Sequence, residues 1–205
     1  MISIAILGAG GHGRVVAEAA KLSGWRSVVL FDDDPCKRGE FKNWTVAGDT
    51  QEMLNLADQF EAVHVAIGSN TIRAEKYRLF ERFNIVNIIH PSAIVSHSAN
   101  LGSGTCVLAS SVLAAEAVVG NGVILNNGST IDHDCSVENF VHICPGVNLA
   151  GGVVIGQGSF IGIGSSVIEG VTVGCDALVG AGSVVVEDIP PSSRAYGNPC
   201  RLIQH

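Results

Sequence analysis

The 205-residue sequence predicts an α/β, Rossmann-like N-terminal half followed by a parallel β-helix built from hexapeptide repeats. Three observations carry that prediction. Apolar strand-like runs alternate with helical patterns up to about residue 88. A glycine-rich turn, Gly8-Ala9-Gly10-Gly11-His12-Gly13, joins the first apolar run to the first helical one. From Val95 onward an aliphatic residue recurs every six positions.

In the front half the order is ISIAIL, RVVAEAAKL, SVVLF, TQEMLNLA, EAVHVAIG, TIRAEKYRLFERF and IVNII, the rhythm of a parallel sheet with covering helices. Ser69-Asn70 is a good start for the helix that contains Arg73 and Tyr77. Glycines after the first strand let a ligand approach the backbone, and the helix N-terminus behind them favours an anion. Asp32-Asp33-Asp34 closes the second strand about twenty residues on, where a dinucleotide fingerprint places its ribose-binding acid. NAD is therefore a candidate ligand from the residues alone. Against it, the segment supplies only half of a full dinucleotide fold, and no Tyr-x-x-x-Lys follows.

Between Val95 and Val185 all sixteen positions at six-residue spacing are Leu, Ile or Val, and the residue four places after each is small or branched. A period of six is neither helical nor a plain strand alternation. It fits a short strand plus a corner, with large aliphatics stacked inside a prism. Glycine often follows the aliphatic directly, as at Gly102, Gly120, Gly156, Gly162, Gly174 and Gly180, and is expected to serve tight corners. Three hexads per coil give a little over five coils, a prism roughly 25 Å long at about 4.8 Å per coil. No insertion interrupts it, so a ligand must lie against a face, with a neighbouring subunit as the expected second wall. The expected domains are 1–88 and 89–205.

Bulk composition narrows the function. The chain is 47% hydrophobic, yet no apolar run reaches the roughly 18 residues of a membrane span, and no secretory leader pattern opens it, so a cytoplasmic location is expected. A net charge of −7 argues against a nucleic-acid surface. Six cysteines without a C-x-x-C pair read as buried, reduced thiols.

His133 lies two places after the inward Ile131, so strand alternation sends it outward. Flanked by Asp132 and Asp134, it has the makings of a general base; a solvated surface histidine is the plain alternative. His142 lies nine residues further on, half a coil away, so the two histidines are not expected to meet within one chain, though they could across a subunit interface. Catalytic zinc usually takes three protein ligands. Only His133 and His142 qualify, with His97 two coils from His133, and no metal is expected. Cys135 is an inward position and Cys144 lacks a nearby base in sequence, so no covalent acyl-enzyme is expected.

The hexads, IDHDC at 131–135, FVH at 140–142 and YGNPCRL at 196–202, with GAGGHG and FDDD in front, resemble the NeuD-like sugar acyltransferases. That hexapeptide-repeat family includes N-acetyltransferases of nucleotide-linked 4-amino sugars. The resemblance implies a left-handed β-helix, a homotrimer, and acetyl-CoA held between adjacent prisms. It implies transfer of acetyl to the amino group, at C4, of a UDP-, dTDP- or GDP-linked amino-dideoxy sugar. It assigns His133 as base with Asp134 orienting it, His142 near the thioester, and the backbone of Gly151 and Ala181 along the cofactor. In front it assigns Gly10, Gly11 and His12 to the phosphates, Asp32 and Asp33 to the nucleoside, and Gly68 and Ser69 to the next loop, with Asn70 and Arg73 as supports. Asp134 stands where some relatives carry Glu, and Ala181 where some carry Gly. The rival readings are a sugar O-acetyltransferase of the sialic acid type, a nucleotide-sugar-binding protein without catalysis, and an NAD-dependent enzyme.

Overall fold

The computed structural model describes residues 2–203. In chain order the front half contains β1 (Ser3–Leu7), α1 (Gly11–Leu22), β2 (Ser27–Phe31), β3 (Gly39–Phe41), β4 (Trp44–Gly48), α2 (Thr50–Leu56), β5 (Ala62–Val65) and α3 (Asn70–Leu79). The sheet order is β3-β4-β2-β1-β5. β1 runs parallel to β2 and β5, which places the loops after all three at one edge, where α/β sheets bind ligands. Ser69 caps α3 by accepting from the Ile72 amide.

Two features depart from the sequence reading. β3 and β4 form an antiparallel hairpin through Lys42 and Asn43, both at positive φ, in a stretch the sequence reading leaves unassigned. Lys-Asn lacks the glycine that usually announces such a two-residue turn. The run IVNII does not join the front sheet as a strand. Ile85 makes a single bridge to Val63, while β6 (Ile88–Ile89) already pairs with Cys106 and Val107 as the first rung of the prism.

The prism has three parallel sheets of two-residue strands, and each strand pairs with the one eighteen residues later, as in Ile124↔His142 and His142↔Phe160. The aliphatic series is buried from Val107 to Val185; Val95 and Leu101 at its open end are partly covered. Polar residues in the interior are satisfied locally. Ser159 and Ser165 donate to the carbonyls of Gly174 and Gly180 at 2.7 and 2.9 Å, so their burial leaves no orphaned hydroxyl. The tail closes the first sheet: Arg194–Tyr196 runs parallel to Leu178–Val179, and Arg201–Leu202 returns antiparallel.

The glycines that follow the aliphatics have a different purpose from the one expected. Positive φ falls two residues later, at positions such as Gly122, Gly158 and Asp134. At Gly156 the difficulty is space: a Cβ there would lie 2.5 Å from the Cys175 amide nitrogen of the next coil. Close coil stacking, rather than corner geometry, selects glycine at that row.

The front half sits on the face formed by Ile88–Ile89, Cys106–Val107, Ile124–Leu125, His142–Ile143 and Phe160–Ile161, called here the covered face. Val16, Ala17 and Ala20 of α1 share one apolar cluster with Ile4, Ile6, Cys106, Leu108 and Ile124. The chain then passes to a second face, beginning at Ile94–Val95, and a third, beginning at Asn100–Leu101, before returning. No helix among the described residues is long and apolar enough to cross a membrane. Gly156→Ala is expected to destabilise the prism by about 1–3 kcal/mol, the usual cost of overpacking. Denaturant unfolding checks this, and an unchanged midpoint refutes the stacking argument.

Candidate active site

Gly8 ends β1 at φ +116 and donates to the Phe31 carbonyl at 2.7 Å; a Cβ there would lie 2.5 Å from the Ala66 carbonyl oxygen. Gly10 then caps α1 without any side-chain hydrogen bond, and a Cβ at Gly10 or Gly11 would meet nothing within 4 Å. The result is a cleft of about 340 Å³ lined by the glycine turn, His12, Asp32, Lys37, Ala66, Ile67 and Gly68. Its floor is a helix N-terminus with free amides, suited to an anion.

Asp32 and Asp33 differ in what they do. Asp32 accepts from the Ala9 amide at 2.7 Å and the Asp34 amide at 3.0 Å, with Lys37 Nζ at 2.9 Å. Burial pushes its carboxyl up, but these donors outweigh burial and hold it below the usual range. Asp33 accepts from the Thr50 amide at 2.8 Å and Lys76 Nζ at 2.7 Å. Burial again opposes, and the Lys76 and Thr50 hydrogen bonds still hold it down to about 2. Asp33 thereby ties β2 to α2 and α3, and it does not line the cleft. Neither does Ser69, whose hydroxyl is the cap of α3. Lys37 is the cleft's cation and was missed in the sequence because it sits in a short 3-10 segment, Pro35–Lys37, with no periodicity to mark it.

Arg73 is only 1% exposed, although it lies on a helix of a surface-covering layer. Its Nε donates to the Gly122 carbonyl at 2.7 Å, Nη1 to Ile67 at 2.8 Å and Gly68 at 3.2 Å, and Nη2 to Asn70 Oδ1 and the Phe140 carbonyl, both at 2.8 Å. Asn70 in turn donates to the Gly158 carbonyl at 2.8 Å. Together they fasten α3 to the corner between the third face and the covered face.

Behind the cleft, the His12 and His142 ring centroids are 6.2 Å apart, and His142 packs edge-on against Phe160 at 5.1 Å. Burial, then the charge fields of His142, Arg73 and His64, lower His12 to about 3. Burial and Arg73 lower His142 to about 4, with the Gly68 backbone opposing in part. His12 is thus a neutral hydrogen-bonding group at the cleft. His142 Nε2 lies 3.3 Å from the Asn126 amide nitrogen, while its buried Nδ1 makes no well-aligned hydrogen bond among the described residues, the Gly68 backbone being its nearest candidate.

His133 sits on a different edge. It lies in the turn between Thr130–Ile131 of the second face and Ser136–Val137 of the third. Its exposure comes from this corner rather than from strand alternation. Asp134 adopts φ +59, which an Asp tolerates well, and accepts from His133 Nδ1 at 2.7 Å. That bond, followed by the field of Asp132, raises the imidazole pKa above its ordinary value. Nε2 makes no hydrogen bond to the described residues. It lies over Gly151, one coil further on, where a Cβ would stand 2.7 Å from Nε2. Gly151 and Ala181 occupy opposite edges of the second face, so one chain does not bring them together. In a three-sided prism the His133 corner is also the one opposite the covered face. The glycine-turn cleft and the His133 dyad of one chain are therefore separated by the body of the prism.

Residues 3–80 match the PglD N-terminal domain family. A perosamine N-acetyltransferase from Caulobacter crescentus, solved as a histidine variant in complex with CoA and GDP-perosamine, superposes with a TM-score of 0.94. Identity is 38%, over 99% of this chain and 97% of that one. This chain belongs to the hexapeptide-repeat sugar N-acetyltransferase family. The acetyltransferase domain of PglB from Neisseria gonorrhoeae FA1090, in complex with acetyl coenzyme A, gives a TM-score of 0.95 at 39% identity over 98% and 99% of the two chains. A UDP-N-acetylbacillosamine N-acetyltransferase of Bacillus subtilis (strain 168) is 34% identical over 116 residues. That match spans about half of each chain, 53% of this one and 52% of the relative.

Cys135 donates to the Ala150 carbonyl, and burial raises its pKa; burial pushes Cys144 up to about 11. Cys36 and Cys175 depart from the expectation of buried thiols, since both are exposed.

The neutral histidines make a pH prediction. Burial also lowers His64 to about 4, its Nδ1 lying 2.9 Å from the Val86 carbonyl. The unfolded chain binds protons at these three sites near pH 6.5, while the folded chain waits until about 4 for His64 and His142 and about 3 for His12. Their stabilisation is complete above 6.5 and is lost as pH falls through that window. Asp33 adds a separate, lower window between 3.8 and about 2. Thermal melts are expected to be flat from about pH 8 to about pH 7 and to fall steadily below about 6.5. A midpoint that holds level down to about pH 5 contradicts the burial of these rings.

Proposed function

We propose that this protein transfers the acetyl group of acetyl-CoA to the amino group, at C4, of a nucleotide-linked amino-dideoxy sugar. The observation that carries the reading is the His133–Asp134 dyad with an open Nε2, combined with a separate anion cleft on the front half. The full-length likeness to structures holding CoA, GDP-perosamine or acetyl coenzyme A supports both halves of it.

In this mechanism the α1 N-terminus and Lys37 hold the diphosphate, and the sugar extends from the cleft to the His133 corner of a second copy. Acetyl-CoA lies between the Gly151 corner of one copy and the Ala181 corner of its neighbour. The neutral amine attacks the thioester carbonyl, and His133 Nε2 takes the proton the nitrogen sheds. Collapse of the tetrahedral adduct breaks the carbon–sulfur bond, and the imidazolium returns the proton to the departing thiolate. Asp134 keeps Nδ1 protonated, so that Nε2 is the basic nitrogen. Bringing both substrates into one cleft lowers the entropic barrier to their meeting. Buried imidazoles at His12 and His142 stay neutral and serve as hydrogen-bond partners.

The separation of cleft and dyad within one chain supports a cyclic homotrimer whose sites are shared. His133→Ala is expected to lower kcat by about 10²- to 10⁴-fold, the usual worth of a general base. The acid limb of kcat/KM should have its midpoint above 6.5, because the imidazole must lose its proton to act, and Asp134→Asn should move that midpoint down. An acceptor panel of UDP-, dTDP- and GDP-linked amino and hydroxy sugars, read by mass shift, tests the acceptor. Acetylation of hydroxyls alone, or of nothing, overturns the N-acetyl reading.

Shared sites have their own test. Gly10→Leu places a side chain in the cleft, since a Cβ at Gly10 would meet nothing within 4 Å. Gly10→Leu and His133→Ala proteins, each inactive, are expected to regain about one quarter of the wild-type rate when unfolded and refolded together as a trimer. Absence of complementation in verified mixed trimers refutes the shared site.

A further inference from the structure

Arg73 is the largest side chain fully buried among the described residues, and none of the ion pairs there involves it. Its burial is costly enough to pull its own pKa down to about 10. A buried cation without an anion is expensive, so a fold that keeps one is using its geometry. The planar fork reaches two bodies at once: the Ile67 and Gly68 carbonyls at the edge of the cleft, and the Gly122 and Phe140 carbonyls at the prism corner.

We propose that Arg73 is a positioning residue for acetyl transfer, locking the Gly68 edge of the glycine-turn cleft onto the prism corner so that cleft and His142 keep one separation. The proposal deepens the reading of the cleft as the nucleotide-sugar site and rests on it. Lysine cannot substitute, because a single ammonium does not span both bodies with a rigid fork. The same guanidinium acts on the rings around it. His12 approaches from the glycine turn, His64 from β5, and Cys106 and His142 from the covered face, while Asp32 and Lys37 stand at the cleft mouth. Its positive field lowers the proton affinity of all three histidines, alongside burial.

The test uses full-length Arg73→Met and Arg73→Lys, with ¹⁵N-labelled histidine to read imidazole titration beside steady-state kinetics. In Arg73→Met the midpoints of His12 and His142 should rise by about one pH unit, as expected when a nearby cation is lost. Its kcat should fall by at least about 100-fold, the scale of a small misplacement of reacting groups. The KM for acetyl-CoA should stay within about threefold, because that substrate is held at corners remote from α3. Arg73→Lys should keep imidazole midpoints near wild type and recover only part of kcat. A folded Arg73→Met protein with wild-type kcat, or with unmoved midpoints, overturns the proposal. If Arg73→Met does not fold, Arg73→Lys decides: full kcat there refutes the need for a fork. Should the wild-type protein acetylate no acceptor, the transferase reading fails by itself. The imidazole titrations, together with calorimetric affinity for UDP and GDP, then still report whether Arg73 sets the cleft.

Discussion

The constraint on which the molecule depends is vertical: each residue of the prism stands above the one eighteen places earlier, at the spacing of neighbouring β-strands. Inward positions must therefore be aliphatic at every sixth residue, and glycine is needed wherever two coils approach too closely for a Cβ. The same stacking shapes the surface proposed for catalysis. His133 projects at a corner because Gly151 above it has no side chain to displace the ring. Core and site obey one rule, and a change made for one is felt in the other.

The second organising element is the contact between front half and prism, and it is mixed in character. Apolar packing of α1 against Leu108 and Ile124 supplies contact area with little directional information. The hydrogen bonds of Arg73 and Asn70 to backbone carbonyls supply the direction. Around that junction stand three imidazoles and one guanidinium, and among the described residues no carboxylate is paired to the guanidinium. The histidines remain uncharged, and the local field favours an incoming anion at the adjacent glycine turn.

Much of this was legible in the residues. The six-residue period is a direct consequence of stacking, so it appears without alignment or structure. The glycine turn and the IDHDC stretch announce themselves because their chemistry needs particular residue types at adjacent positions. Arg73 drew no more than a supporting role from the sequence, because a charged residue on a helix is usually solvated and nothing local signals that distant carbonyls will receive it. Lys37 and the β3–β4 hairpin lie in a segment without periodicity. Hexads alone also treat the three faces as equivalent. A finer signal was present: the residues just before the inward aliphatics on one face are Ile88, Cys106, Ile124, His142 and Phe160. Apart from His142 that outward row is apolar at a period of eighteen, and so it marks the face that is covered.

The corner arithmetic also limits how this architecture can change in length. Ala181 stays on the edge between the covered and second faces only while the number of residues after Gly151 is preserved modulo one coil. Loss of a single hexad in that interval would turn everything downstream by about a third of a revolution. The core would barely register it, since aliphatics would still stack on aliphatics. The edges would not survive it, because the Ala181 turn would swing away from the second face. Deletions in this prism are thus sorted by function more strictly than by folding, and whole coils are the natural unit in which it can be shortened or extended.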